Sequence, residues 1–166
     1  MLATKKYLRL ITLLSLLQLT LLTSTATAGD LSLATGVFDV LDDEKSVDFR
    51  IEYRFDTESI LGIKPLIGIE TSTDVAFHGL VGLYRDFYIN DHLYVTPSLG
   101  GGVYTNGDGP DLNHYIQFRS MAEIGYKFND DYKVSLGFSH TSNANLGPEG
   151  NSGTEAAVIY IHRGWP

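Results

Sequence analysis

Apolar and polar residues alternate with a period of two along most of the chain after residue 28. In "KSVDFRIEYRF", residues 45–55, the odd positions from 47 onward are apolar, and the even positions carry Ser, Asp, Arg, Glu and Arg. Successive side chains of a β-strand point to opposite faces, so the pattern predicts a strand with one apolar and one charged face. "IQFRSMAEIGYKF", residues 116–128, repeats the scheme.

Eight such segments follow one another, separated by clusters of Asp, Asn and Gly that are typical of turns. They cover about residues 31–41, 45–55, 64–73, 76–88, 92–104, 114–128, 131–142 and 154–163. Several long connections alternate with tight turns. No amphipathic helix of useful length is indicated after residue 28, so the fold class is all-β.

Two β architectures fit this pattern. A soluble sandwich would bury the apolar face between two sheets. A small outer-membrane barrel would turn the apolar face to lipid and fill its interior with charged side chains. The segments are about ten residues long, as tilted membrane strands must be, and Arg50, Glu52 and Arg54 lie in mid-strand. We therefore predict an eight-stranded antiparallel transmembrane β-barrel, with a packed interior rather than a pore.

The first 28 residues read as a signal peptide. Lys5, Lys6 and Arg9 precede an apolar run, and "ATA" at residues 26–28 has the small-x-small pattern of a cleavage site. The apolar run is short for a membrane-spanning helix. The prediction is a signal peptide at 1–28 and a barrel at 29–166, exported to the bacterial outer membrane.

The amino-acid composition limits the classes of molecule that the chain could bind. The chain has 12 Lys and Arg against 20 Asp and Glu, a formal net charge of −8. Nucleic acid is excluded as a partner on this ground, because phosphate binding needs clustered basic residues. The chain has no cysteine, so packing or a closed hydrogen-bonded sheet must stabilise an exported domain.

Three polar residues fall on the predicted lipid-facing side. His140 and Ser142 continue the apolar parity of Val134, Leu136 and Phe138, and Glu155 begins the next segment on its aliphatic face. Consecutive strands should pair antiparallel, which brings Glu155 close to His140 and Ser142. Polar groups facing lipid are costly. A base beside a serine, with a carboxylate behind the base, supplies the roles of a Ser-His-Glu triad.

A simpler interpretation stays open. Ser and His at a strand end commonly only hydrogen-bond to loop backbone, and the Asn residues of this loop are ordinary turn formers. In that case the chain would be a non-catalytic structural or adhesive outer-membrane barrel.

The stretches "HTSNANL" at 140–146 and "NSGTE" at 151–155, joined by a loop that contains Gly, resemble the signature of the lipid A 3-O-deacylase family of outer-membrane barrels. "TPSLGGGV" at 96–103 also resembles a strand of that family. The resemblance is strong over about residues 140–155 and weaker over the rest of the chain after residue 28.

The resemblance implies His140 as general base, Ser142 as nucleophile and Glu155 as the acidic member. It also implies Asn143 as an oxyanion candidate, by its side chain or by neighbouring amides, and Asn151 as a further substrate or oxyanion candidate. The interval from serine to glutamate is one residue longer than the family pattern. Glu149 therefore remains a rival for the acidic role.

The expected function is that of an outer-membrane serine esterase. By resemblance, it removes the 3-O-linked hydroxyacyl chain from the lipid A of lipopolysaccharide in the outer leaflet, through an acyl-enzyme. No cofactor and no metal are implied. A homodimer is left open.

Overall fold

The computed structural model describes residues 28–42, 45–57, 60–147, 150 and 153–165, and the architecture is all-β. A single 3-10 turn lies at Ile60–Gly62. The strands are β1 Gly29–Phe38, β2 Ser46–Phe55, β3 Lys64–Ser72, β4 Phe77–Tyr84, β5 Phe87–Tyr88, β6 Leu93–Thr105, β7 Ile116–Lys127, β8 Tyr132–Ser142 and β9 Gly153–Trp165. Among these residues, no helix is long and apolar enough to cross a membrane. Residues 1–27 of the predicted signal peptide lie outside the described residues.

The sheet closes on itself. Consecutive strands pair antiparallel except β4 and β5, which do not pair with each other. β1 also pairs with β9, and β4 pairs with β6. β4 and β5 both lie against β6 and together make one side of the ring. The result is a closed antiparallel barrel with eight strand positions, one of which β4 and β5 share. The predicted barrel is confirmed, and the alternative of an open sandwich is wrong.

The fourth predicted segment, 76–88, is interrupted at residues 85 and 86. Arg85 lies opposite Pro97 of β6, and its amide donates to the Pro97 carbonyl at 3.2 Å. Proline has no amide hydrogen and cannot return a ladder bond. The Asp86 carboxylate accepts instead from the Thr96 hydroxyl at 2.5 Å. The predicted fourth strand is therefore divided into β4 and β5.

The two faces of the wall are inverted relative to a soluble protein. On β2, Ile51 is 50% exposed whereas Glu52 is fully buried. On β7, Ile124 points outward and the Arg119 side chain is 1% exposed. The predicted division of apolar and polar faces is confirmed. It matches an outer wall that meets hydrocarbon and an interior that meets only protein.

Paired charges fill the barrel interior. Arg54 contacts Glu52 and Glu123, each at 2.8 Å. Arg119 contacts Glu52 at 2.7 Å and also pairs with Glu70. The Tyr160 hydroxyl donates to Glu52 at 2.9 Å. These contacts join β2 with β7 and β9, and β3 with β7, across the interior. Charged and polar contacts therefore cross-link the interior.

The end of the barrel that carries the β6–β7 and β8–β9 connections is capped. Leu112 of the β6–β7 connection is 1% exposed and packs with Phe38, Ala76, Tyr104 and Ala156 in one cluster of buried residues. The longer connection thus folds inward over the interior. This cap lies beside the ends of β8 and the start of β9.

We predict that Arg119→Met destabilises the barrel by about 3–5 kcal/mol, because removing one partner leaves buried carboxylates without their counter-charge. Urea unfolding in lipid vesicles measures the difference. Lys127→Met is the control, since Lys127 pairs with Asp130 at an exposed turn and should hardly change the midpoint. Equal midpoints for both variants would contradict the structural role of the charge network.

Candidate active site

Inward-facing and outward-facing side chains alternate along β8 up to its last residue, Ser142. Ser139 and Thr141 point inward and are buried, whereas Phe138, His140 and Ser142 point outward. The strand ends at Ser142, where the ten-residue connection to β9 begins. The two candidate residues therefore stand on the outer wall, near the capped end of the barrel.

The register of β8 and β9 places His140 directly opposite Glu155. The imidazole Nδ1 lies 2.8 Å from the Glu155 Oε1. The two side chains are 44% and 21% exposed. A carboxylate that accepts a hydrogen bond from Nδ1–H fixes the tautomer in which Nε2 is free to accept a proton.

Ser142 is flanked by Phe118 on β7 and by Gly153 on β9, which lie opposite it in the two ladders. It follows His140 by two positions, so the two Cα atoms are about 6.6 Å apart on one face. The described residues contain no hydrogen bond between His140 and Ser142. Catalytic hydrogen bonds commonly tighten only when substrate is bound.

A second serine lies near His140. Ser120 of β7 stands directly opposite His140 in the ladder, on the outward face. Residues directly opposite one another have Cβ atoms about 4.5–5.5 Å apart. The position of Ser120 beside His140 is not visible in the sequence, because it follows from strand register.

The imidazole leans away from Ser120. A Cβ atom placed on Gly153 would lie 2.6 Å from the His140 Cε1 and 3.3 Å from its Nε2. The free edge of the ring therefore lies over Gly153 of β9, on the side of His140 opposite to β7. Gly153 is also the ladder partner of Ser142, so Nε2 is directed toward the end of the strand where Ser142 lies.

Asn143 is not brought to the outer wall with these three residues. Its side chain is fully buried, and Nδ2 donates to the carbonyls of Leu112 and Gly150, both at 2.9 Å. Its Oδ1 accepts from the Asn145 amide at 2.8 Å. Both amide hydrogens are in use, so this side chain ties the two long connections together. Asn151 and Glu149 lie outside the described residues.

The turn after Ser142 has an unusual backbone. Ala144 and Asn145 have φ angles of 52° and 64°, in the left-handed region that few residues other than glycine adopt. The Leu146 amide donates to the Asn143 carbonyl at 3.0 Å. The chain is thereby turned sharply at the candidate nucleophile.

The β1–β2 connection contacts the start of β9, where Glu155 lies. Asp39 is buried, and its carboxylate accepts from the Thr154 hydroxyl at 2.7 Å. The Val40 amide donates to the Glu155 carbonyl at 2.9 Å. The start of β9 is thus fixed by contacts on its inner face, which sequence alone did not indicate because they join residues 115 positions apart.

A second group of Ser, His and Glu lies inside the barrel. Ser135 donates to Glu123 at 2.6 Å and lies 2.9 Å from the His162 Nε2. All three residues are at most 2% exposed. In the part of the chain that the structure describes, no group of three or more His, Cys, Asp and Glu side chains is arranged to hold a metal ion.

Comparison with known proteins bears on both fold and family. The crystal structure of the outer membrane enzyme PagL superposes with a TM-score of 0.61 at 17% sequence identity, covering 81% of this chain and 98% of that one. A de novo designed transmembrane β-barrel gives 0.57 at 12% identity, covering 86% and 98%. At such identities the likeness shows the fold alone. No curated protein sequence matches the chain significantly.

The family follows from a sequence match rather than from superposition. The model of the family described as lipid A 3-O-deacylase (PagL) matches residues 46–163. That range runs from the first residue of β2 to Arg163, two residues before the end of β9, and includes His140, Ser142 and Glu155. The chain belongs to the lipid A 3-O-deacylase (PagL) family of ester hydrolases.

Proposed function

We propose that this protein is an outer-membrane serine esterase that removes the 3-O-linked hydroxyacyl chain from lipid A, with His140, Ser142 and Glu155 as its triad. The observation that carries the proposal is the 2.8 Å contact between His140 Nδ1 and Glu155 on the outward face. Ser142 lies on the same face two residues further along β8.

The triad would act through an acyl-enzyme. His140 Nε2 takes the hydroxyl proton of Ser142 while Oγ attacks the ester carbonyl and forms a tetrahedral oxyanion. Collapse breaks the ester bond, and His140 gives the proton to the departing sugar oxygen. Water, deprotonated by His140, then attacks the acyl-enzyme and releases the hydroxy fatty acid. No cofactor enters this scheme.

The position of the site suits a substrate that is itself a membrane lipid. The candidate residues face outward and not into the interior, which is closed by paired charges and by Leu112. A lipid in the outer leaflet would reach the wall by lateral diffusion, with its ester bond near the interface. A channel through the barrel is not required.

The oxyanion would be stabilised by backbone rather than by the Asn143 side chain, whose amide hydrogens already bond two carbonyls. The amides of Asn145 and Leu146 donate within the turn. The backbone amide of Ala144 and the side chain of Asn151 are candidates. A single such donor contributes about 3 kcal/mol to the transition state.

Mass spectrometry of lipid A from cells that express the protein tests the nucleophile. We expect one hydroxyacyl mass to be lost with the wild type and retained with Ser142→Ala. Ser120→Ala is the matched control, because Ser120 also stands beside His140 on the outer wall and should leave activity unchanged. Unmodified lipid A in every sample, with the barrel folded in the membrane, would favour the structural or adhesive barrel.

Replacing the carboxylate tests the acidic member. Glu155→Gln should lower kcat by about 10²–10⁴-fold, because the amide neither fixes the correct imidazole tautomer nor stabilises the imidazolium. Glu149→Gln is the control and should be fully active. Purified protein in detergent micelles, assayed for fatty acid release, gives both values. An active Glu155→Gln with an inactive Glu149→Gln would transfer the role to Glu149.

Asn143→Ala separates a structural from a direct role of Asn143. The buried Leu112 carbonyl would lose its donor at about 1–3 kcal/mol, and the exposed Gly150 would lose a bond to the same amide, so we expect a lower urea midpoint together with reduced activity. Unchanged stability with a large loss of kcat would instead assign the side chain directly to the oxyanion.

A further inference from the structure

We propose that Gly153 is a positioning residue of the esterase: by lacking a side chain, it lets the His140 imidazole lie flat on β9 and aim Nε2 at Ser142. The inference rests on the proposed function and names a residue that acts on the reaction only through His140.

One contact and two distances to a Cβ placed on Gly153 describe the position of the ring. Glu155 holds Nδ1 at 2.8 Å from the β9 side. The opposite edge, Cε1 and Nε2, covers the place where a Cβ of residue 153 would be, at 2.6 and 3.3 Å. The ring thus occupies the space of a missing side chain. Glu155 holds the ring at Nδ1 and the ring lies over Gly153, the ladder partner of Ser142, so Nε2 lies toward the row that contains Ser142.

The register explains why this position requires glycine. Gly153 is opposite Ser142 and Glu155 is opposite His140, so these four residues form two adjacent rows on the outward face. The imidazole extends diagonally across these two rows, from His140 of β8 toward Gly153 of β9. Any Cβ would raise the ring off the sheet and turn Nε2 away from the serine and toward lipid.

The alternative nucleophile supports the same conclusion. Ser120 lies directly opposite His140 on the other flank. Glu155 draws the imidazole to the β9 side, and the space above Gly153 lets the whole ring lie there, away from Ser120. Gly153 therefore also contributes to the choice of Ser142 over Ser120.

The atom that a new Cβ would meet belongs to the free edge of a half-exposed ring, so we expect Gly153→Ala to fold and the ring to move. A displacement of about 1 Å at a catalytic group costs about 10²-fold in rate. The expected result is a kcat about 100-fold lower with KM within about twofold. Labelling of Ser142 by a fluorophosphonate should slow in parallel, because it needs the same base.

Gly79→Ala is the matched control. Gly79 is an outward-facing glycine of β4, and its added Cβ would make only ordinary contact with Phe77, at 3.4 Å. It should retain full kcat. In the His140→Ala background, Gly153→Ala should have no further effect on residual turnover, because its effect is transmitted by the imidazole.

The ring position has a readout independent of activity. In histidine-labelled protein, the His140 Cε1–H resonance, assigned by its loss in His140→Ala, should shift in Gly153→Ala and not in Gly79→Ala. Full kcat in Gly153→Ala beside an inactive Ser142→Ala would overturn the positioning role and leave the esterase intact. An inactive wild type that still shows the resonance shift would refute the esterase and keep the contact.

A folding defect of Gly153→Ala would also test the positioning role. If Gly153→Ala did not assemble, the His140→Ala/Gly153→Ala double variant should assemble, since the ring is then gone. Failure of the double variant would contradict the proposal. The obstacle would in that case be the Thr141 carbonyl oxygen, 3.2 Å from the added Cβ.

Discussion

The closed hydrogen-bonded ladder is the constraint on which the rest of this molecule depends. In hydrocarbon, each unpaired backbone amide or carbonyl costs several kcal/mol, so a sheet can cross a membrane only without edges. The pairing of β1 with β9 and of β4 with β6 removes both edges. Closure also fixes parity: every second side chain must face lipid, and the others must share one narrow interior.

This alternation explains why the charge network lies inside the barrel and why His140 and Glu155 lie on its outer wall. Arg50, Arg54 and Arg119 belong to the inward set, where carboxylates neutralise them. His140 and Glu155 belong to the outward set, where polar groups lose solvation. A shift of one residue in the β8–β9 register would move Glu155 to the interior face and separate it from His140. The register is therefore as much a part of the site as the residues themselves.

Alternation in the sequence was sufficient to predict the barrel, its two faces and the meeting of His140 with Glu155, because all of these follow from period and chain order. It was not sufficient for the interruption at Arg85, which depends on a proline in a partner strand. The suggestion that the Asn143 side chain serves the oxyanion came from family resemblance. Parity alone places Asn143 inward, one position after Ser142, and there the structure finds it. Gly153 and Ser120 required cross-strand register, which a single sequence does not contain.

The two Ser-His-Glu groups show why chemistry depends on access as well as on residue type. Ser135, His162 and Glu123 are joined by close polar contacts, yet they are buried in the interior, and the Ser135 hydroxyl already donates a hydrogen bond to Glu123. Its oxygen can reach no ester from the lipid phase. His140 and Glu155, by contrast, leave one imidazole edge unbonded and half exposed on the wall. The incomplete hydrogen bonding that would be a structural fault in the interior is what a base needs at a surface, because the edge without a partner is the one that can accept a proton.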